Sequence, residues 1–231
     1  MEHSEKFIDI YGKQADYQIF CPYRISPLGA HIDHQNGIIN GFAIDKGIHI
    51  SCSPKKNGVV ELYSVNFPKR AQFHINEIED HKVGDWADYL RGALKELKKK
   101  HQLKYGLCGV IEGELPIGGL SSSAAGTIAF ISAIAKVNDI RLDEWELIMM
   151  AKAAENNYVG VNCGKLDQCC EVLSRKDKLL YLDCKDDSYE LIDMNKDMSK
   201  CRNRNFGTSI LLCRKERSYS KRAISSLFSS R

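Results

Sequence analysis

Residues 115–126 read "LPIGGLSSSAAG", and the fold turns on what this short stretch is for. Just before it, "YGLCGVIEG" (105–113) is a β-branched and apolar run bounded by glycine, which suits a strand. Just after it, "SAAGTIAFISAIAKV" (123–137) is an apolar helix rich in small residues. A polar, glycine-rich loop between a strand and a helix has a specific physical use. Glycines let the backbone come close to a ligand, and the unpaired amides at the helix start point at phosphate oxygens. The serine hydroxyls add donors and can ligate Mg²⁺. A serine-capped helix following a tight turn would read the same way, and the loop alone does not separate the two. It is not the lysine-bearing G-x-x-x-x-G-K-[ST] loop, and no G-x-G-x-x-G fingerprint is present.

Working outward, "DYQIFCPYRI" (16–25), "GFAIDKGIHISCSP" (41–54) and "GVVELYSVNF" (58–67) have strand character. "DWADYLRGALKELKKKHQ" (85–102) places Trp86, Leu90, Leu94 and Leu97 at helical spacing with lysines opposite, and its basic end suits a helix C-terminus. A further helix is expected from Asp143, placed to cap it, through "EWELIMMAKAAENNYVG" (144–160). "KLDQCCEVLS" (165–174) reads as a short helix and "KLLYLDC" (178–184) as a strand. No internal repeat is visible, and low complexity is confined to the Ser/Arg-rich end.

A chain of 231 residues with 43% apolar and 27% charged residues can bury a sizeable core, which argues against disorder throughout. No apolar run is long enough for a membrane helix and the N-terminus lacks a signal core, so a cytoplasmic protein is expected. The nine cysteines form no C-x-x-C pair, and "CGKLDQCC" (163–170) reads as reduced, helix-packing thiols rather than a metal site. The net charge of +3 is uneven: the stretch from Arg202 onward carries +7 and the rest −4. That tail shows no aromatic-interleaved basic pattern and the rest of the chain is mildly acidic, so no nucleic-acid partner is expected.

"LPIGGLSSSAAG" resembles the second motif of the GHMP small-molecule kinases, with the core P-x-x-x-G-L-x-S-S-A, here one residue shorter between Pro116 and Gly119. "PYRISPLGAHIDHQNG" (22–37) resembles the sugar signature of the galactokinase group, with Arg, Gly, His and Asp in register. "AAENNYVGVNCGKLDQ" (153–168) resembles a third galactokinase segment, with Glu155, Gly160, Gly164, Asp167 and Gln168 in matching places. The fold this resemblance implies is α+β: a GHMP-kinase N-terminal domain of the ribosomal protein S5 domain 2-like kind, a mixed sheet packed with helices.

The resemblance also implies roles. Gly118, Gly119, Leu120, Ser121, Ser122 and Ser123 would hold ATP, and Ser123 with Glu155 would hold Mg²⁺. His31, Asp33 and Gly164 would bind the sugar. Asp167 would take the proton of the anomeric hydroxyl as that oxygen attacks the γ-phosphorus, with Arg24 beside it and the transferring group. Ala30 stands where galactokinases have a glutamate that accepts the sugar 6-hydroxyl. Two like charges about 4 Å apart cost about 4 kcal/mol at an effective dielectric of 20, so glutamate would oppose a C6 carboxylate that alanine admits. The wording here resembles galacturonokinase more than galactokinase. Galacturonate is therefore the expected acceptor, with galactose, or a non-catalytic sugar sensor, as alternatives.

Residues 1–205 are expected to form the sugar- and ATP-binding domain of a monomer. "FGTSILLC" (206–213) resembles the strand entering a second domain, and the segment after it lacks that domain's motif. The expectation is a C-terminal GHMP domain largely absent beyond a start at 206–231, and weak turnover from a cleft left open to water.

Overall fold

The computed structural model describes residues 2–115 and 119–194, with side chains from Glu5 onward. Gly118 of the glycine-rich loop and the expected domain start at 206–231 lie outside the described residues. The sheet is built from β1 (Tyr17–Ile25), β2 (Ile38–Lys55), β3 (Val59–Ser64), β4 (Ala71–His74), β5 (Gly106–Gly113), β6 (Lys178–Asp183) and β7 (Tyr189–Asp193). Its order is β4-β3-β5-β2-β6-β7, with β1 also paired to β2. All pairings are antiparallel except β3 with β5, so the sheet is mixed, as expected.

The 18-residue β2 is the spine. It pairs with β1 along most of its length, with β6 at its start and with β5 at its end. The β1–β2 register shifts between Pro22 and Arg24, next to the residue that the site uses. Such irregularities re-aim a side chain.

The helices α2 (Asp88–Lys100), α3 (Ser122–Val137), α4 (Glu144–Ala153) and α5 (Leu166–Leu173) share one core with the sheet. Leu90, Leu94 and Leu97 are buried there, as their spacing predicts, and α3 is so apolar because it is enclosed on nearly all sides. Successive strand residues face opposite sides. Thus Leu107 and Ile111 of β5 join the main core, while Cys108 and Val110 face Phe7 of α1 (Glu2–Tyr11), which covers the other surface. This explains the unbroken apolar run of β5.

Asp143 caps α4, its carboxylate accepting from the Glu146 amide at 2.8 Å. The expected long helix stops being α-helical at Ala153 and continues as a π-helical turn over 154–159, ending at Gly160 with φ of 78°. Glu155 therefore sits on a π turn, a distortion that proteins often place at functional sites. Seven described cysteines are free thiols. Six are buried, including Cys169 and Cys170 of α5, in keeping with a packing role. No helix among the described residues is long and apolar enough to cross a membrane.

Candidate active site

The loop before α3 is anchored at its start by Glu114. That carboxylate accepts from Lys46 Nζ and the Gly47 amide, both at 2.9 Å, and lies 3.2 Å from His49 Nε2. Burial pushes the Glu114 carboxyl up, but these partners outweigh it and its pKa is lowered. At the far end Gly119 and Ser121 both take left-handed backbone, with φ of 71° and 59°. Glycine adopts this freely, whereas for serine it is a strained choice that the surroundings must enforce.

Ser121 occupies the N-cap of α3 but makes no capping bond. Its hydroxyl donates to Oδ2 of Asp167 instead. A serine that simply capped the helix would satisfy an α3 amide; this one leaves the helix start for another partner.

Asp167 lies in the first turn of α5, and its other oxygen is held by Arg24. Nε and Nη2 of that arginine reach Oδ1 at 2.8 and 2.7 Å. Nη1 donates to the Gly119 carbonyl at 3.0 Å, so one guanidinium ties the carboxylate to the glycine-rich loop. Burial opposes the charge on Arg24, but the bond to Asp167 prevails and keeps it above its ordinary value.

Glu155 is buried, and Gln168 Nε2 donates to its Oε2 at 2.5 Å. Burial raises the Glu155 carboxyl, Ser123 and Gln168 partly counter that by hydrogen bonding, and the charge of Asp167 adds to the rise. The Cys163 thiol, 3.7 Å from the same oxygen, is pushed up to about 12, first by burial and then by Glu155.

The turn after β1 closes on the start of β2 through Asn40, whose side chain accepts from the Leu28 amide at 3.0 Å and whose amide donates to the Leu28 carbonyl at 3.1 Å. Asp33 reaches across to α5, its Oδ2 accepting from the Leu166 amide at 2.9 Å. Gly164 is required by this approach, because a Cβ there would stand 2.6 Å from Oδ1 of Asp33 and closer still to Oδ2. Ala30 and His31 are exposed in the turn, and His31 has φ of 71°.

Arg24, Gly119, Ser121, Ser123, Glu155 and Asp167 are thus brought together, and Asp33 with Gly164 is joined to them through α5. Leu120 and Ser122 flank this cluster in the loop and the first turn of α3. Beside that turn opens a cavity of about 430 Å³, lined by Phe67, Trp86, Tyr89 and Leu115 together with Ser122 and Ser123. The rings of Phe67 and Trp86 lie parallel, with centroids 5.9 Å apart. Sequence reasoning missed this cavity and assigned Trp86 to a helix face. The signal available was two large aromatics in turn-rich segments, "VNFPK" and "GDWAD", the second of them ahead of the α2 helix whose spacing it joins.

Comparison with known proteins identifies the family. Residues 88–175 match the family model for the GHMP kinases N terminal domain, and residues 5–54 match the galactokinase galactose-binding signature. The chain belongs to the GHMP kinases. Among relatives of this GHMP domain, the galactokinase of Clostridium tetani is 35% identical over 185 residues, covering 79% of this chain and 47% of the relative. The galacturonokinase of Arabidopsis thaliana is 36% identical over 194 residues, covering 75% and 46%. The crystal structure of Lactococcus lactis galactokinase complexed with galactose superposes on the domain with a TM-score of 0.78 at 31% identity, covering 83% of this chain and 51% of that one. The chain spans about half the length of the relatives it matches.

Proposed function

We propose that this domain binds ATP and a hexuronic acid of the galacturonate type and transfers the γ-phosphoryl group to the anomeric oxygen. The observation that carries the reading is the holding of Asp167, by Arg24 on one oxygen and by Ser121 of the glycine-rich loop on the other. A carboxylate fixed at both oxygens beside a helix start freed of its cap suits a base facing a phosphate. Asp167 accepts the proton of the C1 hydroxyl as its oxygen bonds to the γ-phosphorus, the bond to the β-bridging oxygen breaks, and ADP leaves. Arg24 stabilises charge on the moving group, and the amides of Gly119 to Ser123 receive the phosphates. The aromatic cavity takes the adenine, since a flat heteroaromatic ring fits an apolar slot that adjoins the phosphate loop.

Ser123 and Glu155 offer two oxygen donors, the kind of set that Mg²⁺ uses when phosphates and water complete its shell. The buried Glu155, whose carboxyl burial raises, fits this role, as a cation would offset the charge that burial penalises. When bound, Mg²⁺ would offset phosphate charge. Asp33, His31 and Gly164 form the sugar end of the site. Ala30 sits in the turn where a glutamate would repel a C6 carboxylate. Residues 1–205 form the sugar- and nucleotide-binding domain on this reading.

The test is calorimetric titration with ATP–Mg²⁺, galacturonate and galactose, together with ADP release from each sugar. Galacturonate should bind more tightly than galactose, and Ala30→Glu should reverse that order. Asp167→Asn should retain nucleotide affinity and lower turnover by about 10²–10⁴-fold. A wild-type preference for galactose would refute the uronate assignment, and absence of binding to nucleotide and both sugars would refute the whole reading. Binding without turnover would favour a sugar sensor.

A further inference from the structure

One turn behind Asp167 on α5 stands a second carboxyl, Glu171, that the proposed chemistry does not use. It is wholly buried, and neither of its side-chain oxygens has a hydrogen-bond partner. An ionised carboxylate so placed would keep the full cost of desolvation without any compensating bond, so the group holds its proton in the folded state. The titratable groups within its electrostatic reach are Asp167 and Cys170 on its own helix, Glu155 on the π turn, and Cys21, Tyr23 and Arg24 on β1. Burial, followed by the charges of Asp167 and Glu155, raises its carboxyl well above the ordinary value, and Arg24 alone among the named groups pulls the other way.

The arrangement therefore contains one cation and two acids on the same helix that could share it. Arg24 is committed to Asp167 through two nitrogens, and this commitment requires the second acid to be uncharged. We propose that Glu171 is a positioning residue: by remaining a neutral carboxylic acid it leaves the Arg24 guanidinium wholly to Asp167, and once ionised it competes for that guanidinium and loosens the clamp. The inference rests on the proposed reading only in naming Asp167 as the base. The exchange of Arg24 between two acids is a property of the folded domain without ligands.

The test uses the full 231-residue chain, free of nucleotide and sugar, with ¹³C-carboxyl and Arg side-chain ¹⁵N resonances followed as pH is raised from neutral. Glu171 should show a protonated carboxyl shift at neutral pH. As it titrates, the Arg24 Nε resonance should leave its Asp167-bonded position while far-UV circular dichroism stays unchanged. In Glu171→Gln, and in a second neutral variant, Glu171→Met, the Arg24 resonance should hold its position across the same range. An ionised Glu171 at neutral pH would overturn the proposal, and so would an Arg24 response that persists in both variants. Loss of fold in the wild type before Arg24 moves, or failure of both variants to fold, would assign Glu171 to the core alone and also overturn it. None of these readouts uses turnover, so a chain that transfers no phosphoryl group can still show the exchange, and an active chain can lack it.

Discussion

Replacing Gly164 with alanine tests the bridge between the turn that carries Asp33 and helix α5. The new Cβ would lie 2.6 Å from Asp33 Oδ1, whereas ordinary contact begins at 3.4 Å. The carboxylate must withdraw by about 0.8 Å at that oxygen and by more at Oδ2. Oδ2 carries the bond to the Leu166 amide, now 2.9 Å, so a withdrawal of more than about 0.8 Å along it takes that distance beyond about 3.7 Å, which is no longer a hydrogen bond. Losing a bond to a charged group costs about 1.5–3 kcal/mol. At about 2–4 °C per kcal/mol for a chain of this size, the melting temperature should fall by roughly 3–12 °C. The assay is thermal unfolding of Gly164→Ala, Asp33→Ala and the double variant. If the clash with Asp33 is the cause, Gly164→Ala should cost almost nothing in the Asp33→Ala background, because the obstructed group is gone. Equal costs in both backgrounds would refute the reasoning, as would an unchanged melting temperature in the single variant.

Gly126→Ala should act in the opposite direction on stability, since the site is helical and a Cβ there meets nothing within 4 Å. A gain of about 1 kcal/mol in urea unfolding is expected, and, if the cavity takes adenine as proposed, weakened ATP binding, because residue 126 lines it. Asp88→Asn should cost about 3–5 kcal/mol in the same measurement, because it removes the charge facing buried Arg91 at 3.0 Å; a cost under about 1 kcal/mol would show that Asp85 suffices as partner. The pH dependence of stability should carry two opposed limbs. Glu171 is raised above its ordinary 4.5, so the folded state binds more protons than the unfolded one above that value, and stability falls as pH rises toward its folded pKa. Asp85 is lowered from 3.8 by Arg91, so its contribution is present above that value and is lost as pH falls through its folded pKa. The unfolding free energy of Glu171→Met should lie above wild type by about 1–3 kcal/mol at neutral pH with the descending limb flattened, and an unchanged slope would contradict the assignment.

The parts of the fold that sequence made legible are those where local chemistry and burial agree. Asp143 caps α4 because an acid before a helical run is left with one geometry that satisfies it. Gly119, Gly160 and Gly164 sit where backbone is left-handed or pressed against Asp33, so their identity alone marks those positions. Arg24 and Asp167, 143 residues apart, were joined by resemblance, and the structure pairs them. Helix α1 was missed because it is short and mostly polar and packs Phe7 into a small cluster separate from the main core. Strand β4 alternates but is only four residues long, too short to stand out, and β7 is a largely exposed edge strand without the alternation that a half-buried strand shows. The divided partners of Glu155, the diverted Ser121 cap and the aromatic cavity all depend on distant segments meeting, and no local pattern encodes such meetings.

The buried thiols give the domain an internal gauge of its own integrity. Cys21, Cys52, Cys108, Cys169, Cys170 and Cys184 are sealed in the interior, and burial, the largest cause at Cys184, pushes that thiol up to about 11. A thiol-specific alkylating reagent has no access to these positions until the interior opens. Labelling followed by mass spectrometry would therefore time the opening of α5 through Cys169 and Cys170 separately from that of β5 through Cys108, without any added probe.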